Sequence, residues 1–201
     1  MLTLKRYKII FLALVFTGLL LFSVPSVLLV VPSSSSGGFS QLWVLGTKET
    51  TSNYPFNVTS GGNNTVYIGL ANRLGSVGYY VVEIKLRNES GSLPDQSLGT
   101  PSSLPALYEQ SVVLPDGGTW QQQVNFSLSN VSFFGNTCSV GTLNIGNISI
   151  VVNKPALWDP SHSGYYYQLF FELWIFNPNT QNLQYNNRYC GLWLNMTSSE
   201  S

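Results

Sequence analysis

From Phe39 onward, apolar residues alternate with polar ones, and Gly, Pro, Asn and Asp break the alternation at short intervals. That is the pattern of strands joined by turns, not of helices. Strands are expected at Ser40 to Leu45, Tyr54 to Thr59, Thr65 to Asn72, Gly78 to Arg87, Leu107 to Leu114, Thr119 to Leu128, Leu143 to Val152, Tyr165 to Phe176 and Leu192 to Thr197. Tyr80, Val82, Ile84 and Leu86 form one face of their strand, leaving Glu83, Lys85 and Arg87 to a wet face. Trp120, Val124, Phe126 and Leu128 repeat this against Gln121, Gln123, Asn125 and Ser127. Between Tyr165 and Phe176 both faces are apolar, as in a strand covered on two sides. Pro115-Asp116-Gly117-Gly118 is a turn signal and predicts a hairpin there. The polar stretch from Glu89 to Pro105 reads as a loop. An all-β sandwich of about eight or nine strands follows from this pattern.

The first residues break the pattern. Lys5, Arg6 and Lys8 precede an apolar run from Ile9 to Val31, interrupted by small polar residues and Pro25. This is an export signal covering residues 1–26 or an uncut membrane anchor, and cleavage near Ser26 is the expected outcome. Either way the positive flank stays in the cytoplasm and the remainder lies outside the cell, so the membrane is met only transiently if the leader is removed. After cleavage the mature chain begins with Val27, Leu28, Leu29, Val30 and Val31 (27–31), then Pro32-Ser33-Ser34-Ser35-Ser36-Gly37-Gly38 (32–38), a flexible linker. The folded domain is expected over 39–197, with a short tail at 198–201.

Five aliphatic residues of strong strand preference are not stable in water. They extend about 17 Å as a strand. Burying three alternate side chains contributes on the order of 5–9 kcal/mol before ordering costs. Such a segment finds an apolar groove or a membrane. Adding itself as a strand to an incomplete sheet in the next copy satisfies it, and because donor and groove are different surfaces the contact propagates head to tail.

Charged residues make up 9% of the chain and the formal net charge is zero, so Asn, Ser, Thr, Gln and Gly must keep the surface wet. A basic nucleic-acid footprint is absent, and nucleic acid is not an expected partner. The glycosylation pattern Asn-X-Ser/Thr occurs at Asn57, Asn63, Asn88, Asn125, Asn130, Asn147 and Asn195. N-linked glycans on these residues would supply the solvation that charge does not. Cys138 and Cys190, the two cysteines, are expected to pair in an oxidising exterior. Their bridge closes a loop of about 50 residues and constrains the unfolded chain by roughly 4 kcal/mol in the entropic account.

Catalytic chemistry finds little purchase. His162, the single histidine, sits beside Asp159 in a turn, with no nucleophile elbow, and the acidic residues are scattered without metal-ligand spacing. No cofactor or metal is expected, and the chain is not expected to be an enzyme. Trp43, Trp120, Trp158, Trp174 and Trp193 are expected mainly in the core, with exposed ones able to stack on sugars.

The segments Phe39 to Gly46, Tyr54 to Thr59, Val66 to Asn72, Gly117 to Trp120 and Leu192 to Asn195 resemble an archaeal family of immunoglobulin-like extracytoplasmic domains. With its leader and aliphatic mature start, the whole chain resembles the archaeal thread pilins. The resemblance implies an immunoglobulin-like or pilin-like sandwich and head-to-tail homopolymers joined by donor-strand complementation. It also implies a heavily N-glycosylated surface filament, with Val27 to Val31 as the donor. The long inserts around Glu89 to Pro105 and Phe133 to Asn147 depart from the related domains. The alternative is a monomeric, membrane-anchored surface domain that engages glycans through exposed aromatics.

Overall fold

The computed structural model describes residues 14–17 and 37–198. Leu14 to Thr17 form a turn of helix in a first unit, Met1–Gly38, and the sandwich occupies a second, Phe39–Ser201. The expected signal, the donor segment Val27 to Val31 and the 198–201 tail beyond Ser198 lie outside the described residues. So does the linker up to Ser36.

Ten strands make up the second unit among the described residues: β1 (Phe39–Leu45), β2 (Asn57–Thr59), β3 (Asn64–Arg73), β4 (Gly78–Asn88), β5 (Tyr108–Leu114), β6 (Thr119–Phe134), β7 (Thr137–Ile145), β8 (Ile148–Asp159), β9 (Gly164–Asn177) and β10 (Asn182–Thr197). One layer runs β1-β3-β6-β7-β8. The other runs β5-β4-β9-β10-β2. The end of β8 joins the second layer through Trp158↔Tyr165 and Asp159↔Gly164, so the two layers are one curled sheet. All pairs are antiparallel except β2 with β10.

The alternation read from the sequence is what fills the space between the layers. Tyr80, Val82, Ile84 and Leu86 of β4 and Tyr167, Leu169, Phe171 and Leu173 of β9 meet Ile68, Leu70, Phe126, Leu128, Val140 and Leu143 from the facing layer. Side chains of period two on two twisted sheets interdigitate into one core. Gly69 sits opposite Trp43 in the β1–β3 ladder, and a Cβ there would collide with the indole ring, so only glycine lets Trp43 lie flat across the strand.

Several expectations need correction. Leu143 to Val152 is not one strand: the chain turns at Gly146-Asn147, where Gly146 has φ +55°, and returns as β8. Tyr54 to Thr59 contributes only three strand residues, because Pro55 has no amide hydrogen for a ladder. The Pro115–Gly118 turn forms, with Gly118 N–H donating to Pro115 O at 3.0 Å, but it does not close a hairpin. It carries the chain from β5 in one layer to β6 in the other.

The wet face expected on β4 is also covered. Lys85 and Arg87 are buried. Lys85 Nζ meets Glu172 at 2.8 Å and Glu83 at 3.0 Å. Glu172 accepts the Ser102 N–H at 2.9 Å, which anchors the 89–107 insert over this face. None of the five tryptophans is fully buried: Trp120 packs against the core as expected, Trp43 and Trp174 are half-buried, and Trp158 and Trp193 are exposed. The fully buried core is filled by Tyr, Phe and aliphatic residues.

Candidate functional site

Two features converge on one side of the sandwich, an open strand edge and an aromatic pocket. β10 pairs with β9 from Asn182 to Asn195, but on its other side it meets only β2, at Asn195 to Thr197. From Asn182 to Leu194 no strand pairs with that second side among the described residues. The facing layer also ends here, at β1, and Arg188 Nε donates to Ser40 O at 3.3 Å across the gap. Between the two edges lies a groove of about 350 Å³ lined by Val44, Tyr54, Pro55, Phe56, Gly191, Leu192 and Trp193. Leu192 at its floor belongs to the core, so the groove opens onto apolar interior.

Around the corner, on the outer face of the β9–β10 layer, Phe56, Tyr166 and Trp193 line a cavity of about 370 Å³ with Glu89, Asp159 and His162. Strand alternation puts Trp193 and Asn195 on this face, since Leu192, Leu194 and Met196 turn inward. Phe56 and Tyr166 rings lie 6.1 Å apart. The Arg87 guanidinium packs 4.8 Å from the Trp193 ring centroid, an approach in which cation and ring quadrupole attract. Burial lowers the Arg87 pKa, its largest perturbation.

The Asp159 carboxylate closes a turn by accepting Ser161 N–H at 2.7 Å and His162 Nδ1 at 2.5 Å. Tyr166 donates its hydroxyl to His162 O at 2.7 Å. Hydrogen bonding to His162 holds Asp159 below the usual carboxylate range, and the same bond raises His162. The Asp159–His162 pair holds the turn between β8 and β9.

The seven glycosylation sequons divide by what their side-chain amides do. Asn88 Nδ2 donates to Pro155 O at 2.8 Å, Asn130 Nδ2 to Thr142 Oγ1 at 2.9 Å and Asn195 Nδ2 to Asn57 Oδ1 at 3.0 Å. Asn57, Asn63, Asn125 and Asn147 are exposed. Asn57 and Asn125 engage only their oxygens. Asn147 occupies the tight turn between β7 and β8.

The expected Cys138–Cys190 disulfide is not present; both cysteines are free thiols. Cys138 lies on β7, where its carbonyl accepts the Tyr167 hydroxyl from across the sandwich at 2.7 Å. Cys190 pairs with Phe171, four residues further along β9. Tyr167 and Phe171 stand four residues, about 13 Å, apart on β9, so the two thiols are placed against different levels of that strand. No group of three or more metal-ligating side chains occurs among the described residues.

A family described as a domain of unknown function, DUF1616, matches residues 32–132, half of the 201-residue chain. The chain belongs to the DUF1616 family. The DUF1616 match takes in β1 to β5 and most of β6, while β10 and Trp193 lie beyond it. No curated protein matches the sequence. Among solved structures, this DUF1616 member is similar to a beta-glucosidase from Listeria innocua in complex with glucose, at 8% identity and a TM-score of 0.40. That likeness covers 79% of this chain and 16% of the glucosidase. It is also similar to the ASH/PapD-like domain of human CEP192 at 9% identity and a TM-score of 0.32, covering 85% of this chain and 92% of that one. Likenesses this slight carry no argument about function.

Proposed function

We propose that this chain is the structural subunit of an extracellular, glycosylated filament, a non-catalytic protein that polymerises head to tail. Val27 to Val31 of one copy enters the groove between β1 and β10 of the next. The observation that carries the reading is the unpaired side of β10. A sheet edge with free N–H and C=O groups beside apolar floor residues is an unfinished sandwich, and one added strand finishes it. The five aliphatic residues extend about 17 Å, which lies within the roughly 40 Å of β10 that runs from Asn182 to Leu194. Alternate side chains of the added strand fill the space above Val44 and Leu192, and the others face solvent. The linker 32–38 spans at most about 25 Å, enough to join a strand seated in one copy to the β1 of another.

N-terminal sequencing and electron microscopy of the native protein test this. A mature start near Val27 and fibres containing this chain are expected, and Leu28→Asp combined with Val30→Asp leaves secreted monomers. Retention of residues 1–26 in the mature protein, or fibres that persist in the double variant, overturns the reading; the first result favours the membrane-anchored monomer.

A further inference from the structure

The cavity bounded by Phe56, Tyr166 and Trp193 has the chemistry of a sugar site. Ring faces accept the C–H groups of a pyranose, and carboxylates at the rim accept its hydroxyls. Glu89 and Asp159 supply those acceptors, and the volume of about 370 Å³ suits one small ligand. Arg87 holds the Trp193 indole in place at 4.8 Å, so the ring is oriented before any ligand arrives.

What points to the occupant is the residue that follows Phe56. Asn57 heads the sequon Asn57-Val58-Thr59, and Val58 turns inward, 2% exposed, so Asn57 shares the outer face with Trp193 and Tyr166. Asn195 pairs in register with both Asn57 and Tyr166, which puts the three on adjacent strands at one level. The bond from Asn195 Nδ2 to Asn57 Oδ1 at 3.0 Å fixes the plane of the Asn57 amide and leaves its nitrogen clear. Two other sequons flank the cavity, Asn88 beside Glu89 and Asn195 two residues after Trp193, but each has its amide nitrogen bound to another residue.

We infer that this cavity is a carbohydrate site whose occupant is the N-linked glycan carried by Asn57 of the same molecule. The inference rests on the exported, glycosylated reading of the chain. A glycan seated on its own protein shields an aromatic surface that would otherwise be exposed, and it covers the outer face of the β2–β10 pair beside the groove.

The native, full mature glycoprotein tests it, with hydroxyl-radical footprinting read by mass spectrometry and a glycopeptide map of all seven sequons. In the Thr59→Ala protein, which lacks the sequon but keeps Asn57, oxidation of Trp193 and Phe56, 38% and 48% exposed, rises at least about threefold, because a seated ligand covers most of the ring face. Trp158, exposed elsewhere, is unchanged and reports that the fold is intact. Asn57→Gln gives the same result by a second route. If Asn57 carries glycan and Trp193 oxidises equally with and without it, the glycan is not seated and the inference fails while glycosylation stands. If the map finds Asn57 bare, the inference fails, and the other six sequons show whether glycosylation fails with it.

Discussion

Asn195 donates its side-chain amide to Asn57 Oδ1 at 3.0 Å, so two sequons face each other where β2 joins β10. Only one of them has a free nitrogen. Attachment of a sugar needs an amide that can swing out from the backbone, and an amide pinned between strands cannot. Glycopeptide mapping of native protein is expected to find sugar on Asn57, Asn63, Asn125 and Asn147 and none on Asn88, Asn130 and Asn195. Full occupancy of Asn88, whose nitrogen is bonded to Pro155 O, would contradict the rule.

Lys85 and Glu172 form a buried ion pair at 2.8 Å, with side-chain exposures of 3% and 0%. Glu83 also reaches Lys85 at 3.0 Å, so removing Lys85 strips two carboxylates of their cation and leaves Glu172 uncompensated in the interior, which typically costs about 3–5 kcal/mol. Removing Glu172 leaves Lys85 paired with Glu83. Lys85→Met is expected to lower the urea midpoint accordingly, and Glu172→Leu to lower it by a different route, by orphaning the Ser102 N–H while Lys85 keeps Glu83. The double variant should lose less than the sum of the two, since with Glu172 gone the loss of Lys85 strands only Glu83, which is partly exposed. Additive losses would show that the pair is not coupled.

His162 reports on its own loop. Its bond to Asp159 raises the histidine and lowers the aspartate, so the signs can be followed separately. A raised histidine stabilises fully below its ordinary pKa of 6.5, and that contribution fades as pH climbs through the raised folded value. A depressed aspartate stabilises above its ordinary 3.8, and that contribution is lost as pH falls through the lower folded value. The loop is therefore held best between those two ordinary values. In proton NMR the single imidazole titrates above 6.5, and Asp159→Asn returns it toward 6.5. An unchanged midpoint in that variant would mean the pair does not form in solution.

Much of the fold is legible because strand alternation is a local property. Tyr80, Val82, Ile84 and Leu86 point inward whatever their neighbours do, and the structure buries all four. What local pattern misses is partnership. The Pro115–Gly118 turn has the same composition whether it joins paired strands or crosses between layers, and only the ladders of β3 and β4 decide it. Lys85 reads as a solvent residue until the distant Ser102 and Glu172 close over it. The site divides the same way. The sequons are visible as triplets, but which amides are free depends on strands far apart in the chain, and the cavity joins Phe56, Glu89, Tyr166 and Trp193 from four separate segments.

Cysteine chemistry gives the last test, because an exported chain with two cysteines argues for a bridge and the ladders argue against it. Cys138 pairs with Phe133 and Ala156 in one layer and Cys190 with Phe171 in the other, and burial raises both thiol pKa values, Cys190 to about 12. The thiolate is the reacting form, so burial leaves Cys190 as the unreactive thiol at pH 8. Intact-mass analysis after iodoacetamide treatment of the folded, non-reduced protein is expected to show no adduct. The same treatment in denaturant without reductant should add two. A single form that takes up no label even when unfolded, and two labels only after reduction, would establish the disulfide and require β7 and β10 to shift toward each other by several ångströms.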